Sequence, residues 1–267
     1  MNQSDVQYAA DKLAQLKSEF QVDIFQDWGD NSGTWQAGYW MRDELDQLHN
    51  VLDCLASCVG GPGRLKEYTG GVTVRKADIG SHGGEALSHR ISLSTQGAFS
   101  PWTVVHEFAH AWDANYGWRL SVALEKYTGG HTSLLQSLII KFLGKPDLMN
   151  RGFERTPGHY GRLPGCNGGG YFYGDKPGGS DWNFNRKEDF AECIAMYVGW
   201  ERNNDLSQHA KDRIIRFKLK NGDKDGFGVA DNWADYAKYF YPENGDYTKT
   251  KRWQFVTDLV NGKINLI

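Results

Sequence analysis

Ser100-Pro101-Trp102-Thr103-Val104-Val105-His106-Glu107-Phe108-Ala109-His110-Ala111-Trp112 is the stretch whose reading decides the fold. Serine caps helices and proline is favoured at the first helical position, so a helix is predicted to open here and run to about Asn115. Val104, Val105, Phe108, Ala109, Ala111 and Trp112 leave it little polar surface. That pattern belongs to a central buried helix rather than a surface one. Residues i and i+4 of a helix lie on one face, one turn apart, which brings His106 and His110 together. Two imidazoles so placed can share one zinc ion. Glu107 projects beside them, where a carboxylate can take the proton of a water whose pKa zinc has lowered. The plainer reading is a surface helix with two solvated histidines. The apolar surroundings argue against it, because burying two imidazoles without partners is costly.

A catalytic zinc site takes three protein ligands and leaves one position open. Tyr116 stands where metzincin sites draw their third ligand from the same segment, and Asp113 stands where they place a glycine. That continuation is absent. Asp113, one turn beyond His110, is either a third ligand, a partner of a ligand, or a capping acid. The stronger candidates come from Arg186-Lys187-Glu188-Asp189-Phe190-Ala191-Glu192. A helix is predicted from about Arg186 to Trp200, with Glu188 and Glu192 one turn apart on one face and Ala195 and Gly199 continuing the stripe. Phe190, Ile194, Tyr197 and Val198 form its apolar side. An acidic helix start is favoured by the helix dipole alone. Beside a buried stripe, however, two carboxylates call for a cation, and zinc with its histidines supplies one. The third ligand is therefore among Glu188, Glu192 and Asp113.

HEFAH followed by EDFAE on a later helix resembles the gluzincin branch of zinc metallopeptidases. It is closest to the catalytic-domain family of anthrax lethal factor, with thermolysin more distant. The resemblance covers the two motifs and a helix–strand–strand–helix order from about Met41 to Trp200. It implies a zincin-like α+β fold with a small mixed sheet, a central HExxH helix and a mainly helical C-terminal part. It also implies Zn2+ held by His106, His110 and Glu188, with Glu192 as the outer partner of a ligand histidine such as His106. The chemistry implied is hydrolysis of a peptide bond, with Glu107 as general base. In such folds the strand leading to the motif helix is an edge strand to which an extended substrate adds by backbone hydrogen bonds. Here that role falls to Ile91, Ser92, Leu93 and Ser94. These families carry a tyrosine shortly before the third ligand to stabilise the tetrahedral intermediate. Gly179 to Asn185 contains none. Tyr171 and Tyr173 are the nearest upstream, and Tyr173 is taken as the candidate donor, against the plainer reading of packed or cleft-lining aromatics. The interval from His110 to Glu188 is also longer than in those families, and a glycine-rich run fills much of it.

Outward from these motifs, a helix is predicted from about Ser4 to Phe20, with Val6, Ala9, Ala10, Leu13, Leu16 and Phe20 on one face. Turn residues from Asp27 to Gly33 suggest a boundary, making 1–33 a helical appendage and 34–267 the catalytic domain, with a helical subdomain from about 186. The appendage could mask the cleft or dock a partner. Leu45, Leu48, Leu52, Leu55 and Val59 predict a helix over about 41–59, ended by Gly60-Gly61-Pro62-Gly63. Gly71 to Arg75 and His89 to Thr95 alternate as strands, joined by a loop around Gly80 to Gly84. In the second strand Ile91 and Leu93 face the core, with Ser92 and Ser94 on the other side. Helical patterns recur near 132–143, 205–218, 232–241 and 252–260. The glycine-rich, aromatic run over 158–179 is predicted to be irregular and to wall the cleft.

The remaining histidines (His82, His89, His131 and His159) stand apart from any motif and read as surface or hydrogen-bonded structural residues. Cys54, Cys58, Cys166 and Cys193 form no CxxC pair, and Cys54 and Cys58 are awkwardly placed on one helix for a disulfide. They read as small buried hydrophobes, which favours a reducing, cytoplasmic setting over a secreted one. No secretory leader is evident at the start of the chain. A net charge of −3 over 267 residues, without a basic cluster, points away from nucleic acid. No apolar run is long enough to span a bilayer, so no membrane partner is expected. The partner expected is a peptide or protein substrate, with the oligomeric state open. Two other functions fit the same motif. One is a zincin-like binding module without catalysis, disfavoured by the presence of Glu107. The other is a zinc hydrolase of a non-peptide amide, which needs a small closed pocket rather than an open edge strand.

Overall fold

The amphipathic N-terminal pattern folds as α1 (Gln3–Phe20), with Leu16 and Phe20 fully buried. The computed structural model describes residues 3–25, 40, 42–79, 83–94, 101–129, 131–132, 171–173, 176–177, 186–202 and 247–264. Gln21 ends α1 in a left-handed conformation, its amide bonding back to the Lys17 carbonyl, and the chain turns straight into β1 (Val22–Phe25). Next comes α2 (Arg42–Val59), whose Leu45, Leu48, Leu52, Leu55 and Val59 are all buried, as the leucine spacing predicts. α1 is tied to α2 by polar pairs across their rims. Tyr8 bonds to Asp46, Lys12 pairs with Asp46 at 3.1 Å and His49 with Glu19 at 2.9 Å.

The Gly60-Gly61-Pro62 sequence does more than stop a helix. Gly60 and Gly61 take positive φ, and Pro62 opens α3 (Pro62–Thr69), which buries Leu65 and Tyr68. β2 (Val72–Ala77), β3 (Gly84–Leu87) and β4 (Arg90–Ser94) follow. The main sheet has the order β1-β2-β4-β3. β1, β2 and β4 run parallel, and β3 is antiparallel to β4.

Two expectations are corrected by this order. The described residues 3–25 are not a separate appendage: β1 is a strand of the main sheet, in register Val22 to Val72. Ile91, Ser92, Leu93 and Ser94 do not lie on an edge either. β4 is paired on both sides, by β2 and β3. All four of those side chains are buried, including the two serines expected to face away from the core. Ser92 satisfies its hydroxyl by accepting from Arg75 Nε at 2.9 Å. Among the described residues the edge strands are β1 and β3, and β3 is the one beside β4.

α4 (Pro101–Asn115) follows β4 within the bounds the sequence predicts, and Trp102, Val104, Val105, Phe108, Ala109, Ala111 and Trp112 are buried. Its C-terminal end is fastened to α3. The Asn115 amide donates to the carbonyls of Glu67 and Tyr68, at 3.0 Å each, and Tyr68 stacks on Trp112 with ring centroids 4.5 Å apart. These elements are α+β in class.

By contact density the chain divides into two units, residues 1–118 with 194–210 and residues 119–193 with 211–267. The second contains α5 (Arg119–Thr128) and a small antiparallel sheet of β5 (His131–Thr132), β6 (Tyr171–Tyr173) and β7 (Lys176–Pro177). The aromatic triplet expected in an irregular run is thus a strand, its centre Phe172 paired with His131. α6 (Arg186–Arg202) starts in this unit and ends in the first. From Asp189 to Gly199 every residue of α6 is buried, so it has no solvent face along that length. A short 3-10 turn (Tyr247–Lys249) leads to α7 (Lys251–Val260), capped by the Thr250 side chain accepting from Trp253 N. Phe255, Val256 and Leu259 are its buried face. Tyr127 of α5 packs edge-on against Phe255 and bonds to Asp258 at 3.0 Å.

The helices predicted near 132–143, 205–218 and 232–241, the turn over Asp27 to Gly33, and most of the glycine-rich run lie outside the described residues. Among the described residues no helix is long and apolar enough to cross a membrane. Cys54, Cys58 and Cys193 are thiols, with Cys193 fully buried and the other two partly so; Cys166 lies outside the described residues.

Candidate metal centre

Burial of α4 leaves its polar residues facing inward. Glu107 is 6% exposed and His110 8%, and His106 is half-buried. One helical turn sets the two imidazoles with ring centroids 4.7 Å apart and planes at 82°. Their Nε2 atoms approach to 3.1 Å. Tetrahedral ligands with metal–nitrogen bonds of about 2.0–2.1 Å stand roughly 3.3 Å apart, so the separation suits a shared ion. Glu188, in the first turn of α6, completes the group. One ligand atom from each of His106, His110 and Glu188 lies within 4.8 Å of the others. Two imidazoles and one carboxylate form a donor set that suits a borderline divalent cation and leaves a position open.

A scan of protein-family models, a search of curated proteins and a search of solved structures return no match.

Of the three acids considered for the third position, Glu188 is the one in the cluster. Glu192, one turn along α6, is buried at 6% exposure, and Asp113 is fully buried on α4. Neither belongs to a metal-competent group among the described residues. Tyr197, assigned to the core, is buried. Tyr173 lies on β6, but its side chain and that of Tyr171 fall outside the described residues, as do His82, His159 and the His131 side chain. His89 plays a structural part. It bonds to Ser88 at 3.0 Å and to Asn115 at 3.4 Å, tying the β3–β4 turn to the end of α4.

Gly84 is a contributor that sequence reading assigned to a loop. It opens β3, opposite Leu93 of β4, and its backbone passes directly over α4. A Cβ placed there would lie 2.7 Å from both Cγ and Oε1 of Glu107 and 2.8 Å from Cγ2 of Thr103. Carbon atoms in good contact stand about 3.5–4.0 Å apart, so a side chain at this position would force Glu107 and Thr103 to shift. The missing Cβ leaves the Glu107 side chain its place beneath the start of β3. The available signal was a glycine entering a short alternating segment, a sign of close backbone approach.

Proposed function

We propose that this chain is a zinc-dependent metallopeptidase of the gluzincin type, resembling the anthrax lethal factor catalytic-domain family. The observation that carries the reading is the convergence of His106, His110 and Glu188, with Glu107 next to the first histidine on the same buried helix. Zinc held by those three residues would supply Lewis acidity for activating a water and polarising a carbonyl. His106 and His110 offer neutral Nε2 atoms, and Glu188 a carboxylate. Glu107 accepts the proton of the attacking water on a carboxylate oxygen and returns it to the leaving amine nitrogen. Burial strengthens that exchange, because few waters compete for the carboxylate.

β3 takes over the substrate role first assigned to Ile91–Ser94. It is a terminal strand of the main sheet, antiparallel to its neighbour, and it begins against Glu107. An extended peptide pairing with its outer edge, unpaired among the described residues, would bring a backbone carbonyl toward the general base. Backbone pairing of this kind favours peptides over small amides. Glu85 and the exposed Leu87, which alternate with Gly84 and Ala86, would lie on the face away from α4.

Purified protein should cleave an unfolded protein substrate, lose that activity to a zinc chelator and recover it on adding zinc. Persistence of cleavage in the chelator would refute the reading. Gly84→Ala is expected to keep wild-type zinc content while hydrolysis falls by on the order of 10²-fold, the usual penalty for misplacing a reacting group by about 1 Å. Zinc analysis beside the rate assay checks it, and unchanged turnover would detach Gly84 from Glu107.

A further inference from the structure

A buried ion pair joins α7 to α6 one residue away from Glu188. Arg252 Nε and Nη2 donate to Asp189 Oδ1 and Oδ2, both at 2.9 Å, and the two side chains are 4% and 0% exposed. One turn further along α6, Cys193 Sγ donates to the Arg252 carbonyl at 3.6 Å. Arg252 is the second residue of α7, whose Phe255, Val256 and Leu259 are buried. The start of α7 is thus fastened to two successive turns of α6.

Consecutive helical residues are rotated by about 100°, so Asp189 points toward α7 while Glu188 points elsewhere. Fixing Asp189 therefore fixes the rotation and axial position of the first turn of α6. Those two quantities decide where the Glu188 carboxylate stands. First turns fray readily, because their amides lack partners within the helix. A planar guanidinium holding both carboxylate oxygens is well suited to stop this, since it constrains orientation as well as distance.

We propose that Arg252 and Asp189 act as positioning residues for the third metal ligand, which makes the C-terminal helix part of the metal-binding apparatus. This rests on the metal reading of His106, His110 and Glu188. The pair holds Glu188 in ligating position before any ion arrives, and the ion then meets a site already formed.

The test is a double-mutant cycle on the full chain, with zinc affinity measured by competition against a chromogenic chelator. Arg252→Met, of similar length but without the fork, should weaken zinc binding by about 10-fold, the low end of the cost of losing a direct partner of a ligand, because the pair acts on Glu188 through the backbone of α6. In a Glu188→Ala background the same change should alter affinity by less than about twofold, because its effect runs through Glu188. A merely structural role would weaken binding equally in both backgrounds, and that result would overturn the proposal. Arg252→Lys, which keeps the charge but not the bidentate geometry, should fall between wild type and Arg252→Met; it is read in the same cycle if Arg252→Met does not fold. A wild-type chain that binds zinc through Glu188 while Arg252→Met binds equally well overturns the clamp alone. A wild-type chain that binds no zinc overturns the metal reading and the clamp together.

Discussion

Glu107→Gln is expected to bind zinc at the wild-type stoichiometry and to lose hydrolysis by roughly 10²–10⁴-fold, the usual contribution of a positioned general base. The substitution suits the site because glutamine has the shape of glutamate. Glu107 sits under the Gly84 backbone with no room for an added methyl group, and an isosteric change leaves that packing intact. The fold around α4 should therefore survive, and what is removed is the ability to accept a proton. Metal analysis and a rate assay on the same preparation separate the two roles. Loss of zinc would make Glu107 a structural part of the centre. Full activity would remove it from the mechanism.

The second large effect is expected at Glu188. Glu188→Ala should weaken zinc binding by more than about 100-fold, beyond the roughly 10–100-fold that outer partners cost. Glu192→Gln should fall inside that smaller range, and Asp113→Asn should leave affinity within a few-fold of wild type. The ranking follows from placement, since Glu188 supplies a ligand atom to the cluster and the other two acids do not. Unfolding is not expected to intervene in Glu188→Ala, because α6 is held by its buried length from Asp189 to Gly199 and by Arg252. An Asp113 variant weaker than the Glu188 variant would transfer the third ligand to α4.

The sequence was most legible where the signal is local. HEFAH sits in an apolar run opened by Pro101, so motif, helix and burial all read from one short segment, and α4 matches it. α2 was equally clear, because five core residues at helical spacing leave no other period. The first two strands to fail were β1 and β3. Each has four residues, and Gly84 and Ala86 have little strand preference of their own. They become strands through pairing with β2 and β4, which is a tertiary effect. The same cause misplaced the edge. Ile91–Ser94 alternates like a half-exposed strand, yet strand order is not written in local alternation, and β3 covers the side taken as open. α3 was hidden because Gly60-Gly61-Pro62 stops one helix and starts another. Asp189 and Arg252 are far apart in the chain, and each alone looks like an ordinary charged residue near a helix start. Only their shared burial shows what they do.

His106, His110 and Glu188 are expected to hold one zinc ion together. Anomalous diffraction at the zinc absorption edge, from crystals of the zinc-loaded protein, tests this most directly. A single strong peak is expected about 2.0–2.2 Å from His106 Nε2, His110 Nε2 and a Glu188 carboxylate oxygen, with Glu107 beside the open position. A peak coordinated by Asp113 or Glu192 in place of Glu188, or no peak between the two histidines, would contradict it.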